Sequence, residues 1–118
     1  MIPEDWTPVE RDDDGELIGF LEPVADGVRP VSPFGYPVGE PGGEDEAIER
    51  LNELGLRYLA EPWILMREGT EHRVRFLEAG PARAVLQVFF TEGVYSGEKF
   101  VLTPPLGADV LTPERPLR

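Results

Sequence analysis

Four arginines are spaced so that strand geometry can carry them to one surface. In Glu71-His72-Arg73-Val74-Arg75-Phe76-Leu77-Glu78, Arg73 and Arg75 stand two residues apart, and Arg67 and Arg83 lie in the flanking apolar runs. Side chains alternate along a strand, so Arg73 and Arg75 share one face while His72 shares the other with Val74 and Phe76. A guanidinium fork can hold a carboxylate or phosphate through two parallel hydrogen bonds. Convergence of these groups, with Trp63 and His72 nearby, would make a ligand-binding pocket between sheet and N-terminal loop. Cross-strand pairing with Glu61, Glu71 or Glu78 is the simpler use of the same side chains. His72 is the only histidine, and Ser32 and Ser96 are the only serines, so nucleophilic chemistry of the Ser-His kind has little to draw on. The reading is a protein with no catalytic residues and no cofactor.

The acidic residues form the second candidate. Residues 1–60 carry 15 Asp and Glu against 4 Arg, whereas residues 61–118 carry 8 against 7 basic residues, within a total net charge of −12. Asp12, Asp13 and Asp14 stand together at a turn, and Glu46, Glu49 and Glu53 recur at helical spacing. Such a surface repels anions and steers cations toward itself. Its natural partner is a basic protein. Asp12-Asp13-Asp14-Gly15-Glu16 fails as a calcium loop, because placing Gly15 at loop position 6 puts Leu21 where a bidentate Glu is required. No metal site is expected.

The totals exclude further classes. Affinity for nucleic acid comes from clustered Lys and Arg that release counterions, and this chain has a single Lys and a pI near 4.4. Anionic membranes are disfavoured on the same ground. Cysteine is absent, which removes disulfides, thiolate metal sites and thiol nucleophiles and fits a reducing, cytoplasmic setting, while Arg outnumbering Lys ten to one beside 13 Pro and 13 Gly suggests a GC-rich genome and a bacterial source. The N-terminus shows no basic start followed by an apolar stretch, and no run approaches the roughly 20 apolar residues that span a bilayer.

These side chains need positioning elements. Asp-Gly at 14–15 between Thr7–Arg11 and Glu16–Glu22 signals a hairpin, and a third short strand can follow at Val28–Val31. From Pro23 to Gly43 ten of 21 residues are Pro or Gly, yet Phe34 and Tyr36 fall there, so an ordered loop pressing aromatics onto the core is expected. Residues 44–55 form a helix whose Ala47, Leu51 and Leu54 share one face with Ile48 beside them, while Glu46, Glu49, Arg50 and Glu53 face away. Four β-rich runs with short connections follow, reading as an antiparallel meander. Phe89 and Phe90 point to opposite sheet faces; if the second face stays open, it offers a surface for a second copy of the chain.

The expected architecture is α+β: an antiparallel sheet of five to seven strands, made of an N-terminal hairpin and a C-terminal four-strand meander, with one packed helix. One domain spans 1–103, with the ordered loop at 23–43, and a Pro-rich tail occupies 104–118. In function the chain reads as a non-enzymatic binding or regulatory module for a basic protein partner. The alternatives are a small ligand-binding domain or enzyme built on Trp63, His72, Arg73 and Arg75, and a structural homo-oligomer.

Overall fold

Strand signals in the first 31 residues build an antiparallel meander in the computed structural model, which describes residues 1–89 and 95–115. Strand β1 (Thr7–Glu10) turns at Asp12–Gly15 into β2 (Leu17–Val24), which returns as β3 (Gly27–Val31). Gly15 takes φ 71°, the conformation a tight Asp-Gly turn requires. Helix α1 (Glu44–Leu54) opens with Glu44, Asp45 and Glu46, favourable at the positive end of its dipole, and closes at Gly55, whose N–H donates to the Leu51 carbonyl. Its buried Ala47, Leu51 and Leu54 pack with Val9, Ile18, Leu21 and Val38, so the helix rests on the three-stranded sheet. Each of the larger side chains contributes about 1.5–3 kcal/mol by leaving water. Glu46, Glu49 and Glu53 are exposed. Arg50 instead folds back, its Nε donating to the Val38 carbonyl at 2.7 Å.

After a short 3-10 turn at Arg57–Leu59 come β4 (Trp63–Arg67), β5 (Thr70–Ala79), β6 (Ala84–Phe89) and β7 (Tyr95–Leu102), the antiparallel meander read from the sequence. A further strand, β8 (Leu111–Pro113), adds to β4 and gives the order β7-β6-β5-β4-β8. The fold is thus α+β with one helix, and its strands divide between a three-stranded and a five-stranded sheet. Of residues 104–115, Leu111–Pro113 joins the second sheet and Leu106 packs in its core: Leu106 and Leu111 are buried, and Pro113 can occupy an edge strand because it owes the ladder no N–H on that side.

The Pro/Gly-rich loop covers the inner face of the five-stranded sheet. A turn closes Ser32 to Tyr36: the Tyr36 N–H donates to Ser32 Oγ at 3.0 Å, and the Ser32 N–H to the Tyr36 carbonyl at 2.7 Å. This presents Phe34, fully buried, to Trp63, Phe76 and Tyr58. Phe34 meets Trp63 edge-on at 5.5 Å between centroids and Tyr58 at 5.2 Å, while Tyr36 meets Trp63 at 5.1 Å. Tyr36 and Leu56 touch both apolar clusters and join the two sheets. Among the described residues no helix is long and apolar enough to cross a membrane. The expectation for the Phe89 and Phe90 side chains lies outside the described residues.

Candidate functional site

Local folding distributes the candidate residues over separate parts of the molecule. The four arginines do not gather. Arg67 ends β4 and lies over the Phe100 ring, 5.3 Å from its centroid, and Arg83 pairs with Glu78 at 2.7 Å across the β5–β6 turn. His72 faces inward at the sheet margin, its ring 5.2 Å from that of Phe100. Trp63 is wholly buried, with its indole N–H donating to the Tyr58 carbonyl at 3.1 Å. Neither His72 nor Trp63 shares a surface with Arg73 and Arg75: alternation turns one inward, and the aromatic cluster encloses the other. Ser32 is likewise buried and spends its hydroxyl on the turn it closes, while the Ser96 side chain lies outside the described residues. Burial pushes the Tyr58 phenol up to about 12, with the charge of Glu16 adding to the effect, so it is neutral at physiological pH.

Arg73 and Arg75 do stay together, on the outer face of β5, and a third guanidinium joins them. With Arg115 they line a cleft of about 670 Å³, whose other described lining residues are Leu59, Ala60, Glu61 and Pro62. Arg115 arrives there through β8: Trp63 pairs with Pro113, and the Glu114 N–H donates to the Pro62 carbonyl at 3.0 Å, laying 114–115 beside 61–62. Glu114 meets Arg73, its Oε2 accepting from Nη2 at 2.8 Å and from Nε at 3.2 Å. Sequence reasoning left out Arg115 because four prolines after residue 103 read as a tail. The spacing of Leu106 and Leu111 was the available signal of a buried return.

The acidic residues occupy the other sheet and its helix. Asp12, Asp13 and Asp14 are exposed at the tip of the β1–β2 hairpin, where Arg11 grips Asp14 through Nη2 at 2.7 Å and Nε at 3.1 Å. That pairing, helped by the Glu16 backbone N–H, lowers the Asp14 carboxyl from 3.8 to about 2. A carboxyl depressed in this way favours the folded hairpin above its ordinary value, and the benefit is lost as pH falls through about 2. Carboxyl-detected NMR titration should therefore place the Asp14 midpoint near 2, and Arg11→Ala should return it toward 3.8. An unchanged midpoint would assign the shift to the turn backbone alone.

At the start of α1 a notch of about 340 Å³ is lined by Glu40, Glu46 and Arg50, with Gly39, Gly42 and Gly43 leaving its floor open. The ion pairs Arg11–Asp14 and Arg29–Glu22 lie within the acidic half, and Arg73–Glu114 and Arg83–Glu78 within the other. Among the described residues no three His, Asp or Glu side chains are grouped so as to hold a metal ion. These surfaces stand on their own geometry, since no family model, no curated protein and no solved structure matches the chain.

Proposed function

We propose that the chain is a non-enzymatic binding module that recognises a basic protein in the bacterial cytosol through its acidic N-terminal half. The observation carrying this reading is the exposed row Glu46, Glu49 and Glu53 along α1, ending at the notch that Glu40 and Glu46 line together with Arg50. A notch of this size accepts a Lys or Arg side chain, and the row beyond it supplies attraction along the approach. Arg50, the basic residue within the row, turns its Nε to the Val38 carbonyl, and Arg73 and Arg83 pair with Glu114 and Glu78 of their own half. Asp12 and Asp13 at the hairpin tip extend the field and raise the rate of encounter more than the strength of the final contact.

Affinity capture from native lysate tests the reading when wild type is compared with Glu46→Lys/Glu49→Lys/Glu53→Lys. The expected result is a basic protein retained by the wild type at low salt, lost from the variant, and released as ionic strength passes about 0.15 M, where the screening length falls to about 8 Å. Circular dichroism of the variant should match the wild type, because the three side chains face solvent. Equal capture by both proteins, or capture indifferent to salt, removes the proposal.

A further inference from the structure

The arginine cleft asks for a partner of opposite sign. In a chain of net charge −12, three guanidiniums line one depression, Glu61 being the carboxylate among its described lining residues. Arg73 and Arg75 sit two residues apart on one face of β5, so their Cα atoms lie about 7 Å apart along a rigid strand. Leu59, Ala60 and Pro62 line the same cleft with apolar surface, and Leu59 is one of the large apolar side chains left exposed. Volume, apolar wall and a few charged groups are the attributes of a small-molecule site. Arg73 already displays the recognition chemistry, since its Nε and Nη2 both donate to the Glu114 carboxylate.

We propose that this cleft binds a small organic dicarboxylate, its two anionic ends meeting the guanidiniums of Arg75 with Arg115 and of Arg73, and its hydrocarbon body lying on Leu59, Ala60 and Pro62. Glu114 competes for Arg73, from which the second carboxylate displaces it. Phosphate fits less well, because it would satisfy one fork and leave the apolar wall wet. The site is independent of the acidic surface and of any protein recognised there.

Amide NMR titration of the full chain in low-chloride buffer, with adipate, hexanoate and inorganic phosphate as probes, tests the proposal. Adipate should give saturable shifts at residues 59–62 and 73–75, with hexanoate weaker and phosphate weakest. Arg75→Ala and Arg115→Ala should each weaken adipate about tenfold, the usual loss of a charge-assisted hydrogen bond. Glu114→Gln should tighten adipate severalfold, an effect in the opposite direction that loss of folding cannot mimic. No saturable shift with adipate, equal affinity for phosphate, or weaker binding by Glu114→Gln would each overturn the assignment.

Discussion

Trp63→Ala is expected to remove about 3–5 kcal/mol of folding stability, the range for deleting a large buried aromatic. Trp63 opens β4, is wholly buried, and has Phe34, Tyr36 and Phe76 against its ring at centroid distances of 5.1–5.6 Å. Its removal leaves a cavity where three elements meet: the five-stranded sheet, the aromatic loop and the 3-10 turn, which also loses the hydrogen bond from the indole to the Tyr58 carbonyl. A domain of this kind has about 5–15 kcal/mol in total, so the variant should sit close to its unfolding threshold. Urea titration followed by far-ultraviolet circular dichroism measures the change, with Met66→Ala as control on the same strand. Met66 is 42% exposed and its truncation should shift stability by less than about 0.5 kcal/mol. Similar losses for both variants would mean that the aromatic cluster is not what joins the loop to the sheet.

Gly19→Ala should be comparably damaging for a different reason. A Cβ at Gly19 would stand 2.3 Å from the Val31 carbonyl oxygen and 2.7 Å from Leu51 Cδ2, and the residue has φ 155°. The helix can approach the three-stranded sheet this closely only because β2 offers bare backbone at that point. Adding a methyl group must push β3 or α1 away, at a cost of about 3 kcal/mol or more once overpacking and backbone strain combine. Gly69→Ala separates the two contributions: Gly69 has φ 78° with nothing within 4 Å of an added Cβ, so it reports backbone strain alone. Its loss should be about 1 kcal/mol. If the two substitutions cost the same in thermal unfolding, close approach at Gly19 does not limit the packing of the helix.

Local chemistry made the single elements legible. Asp14-Gly15 announced the hairpin, and the spacing of Ala47, Leu51 and Leu54 announced the helix and its solvent face. What periodicity could not supply was the choice of layer. An apolar stripe says that a helix covers a sheet, but not which one, and here the three-stranded sheet takes the helix while Phe34 of the loop covers the other. The same limit governed the site. Alternation placed Arg73 and Arg75 on one face correctly, yet Arg115 reaches them through a pairing between β4 and β8 that spans almost half the chain. Trp63 and His72 were near in sequence but fell on the inner side, where the aromatic neighbours that enclose them come from residues 34–36 and 100.

The late position of β8 also orders events at the ribosome. Strand β4 has β5 directly after it in the chain to pair on one side, but its other margin is closed by Leu111–Pro113, which come much later in the sequence. For that interval the nascent chain exposes unsatisfied peptide groups flanking Trp63 and Leu65, the kind of ragged border that recruits neighbouring polypeptides or chaperones. Sealing it is the task of Leu111–Pro113.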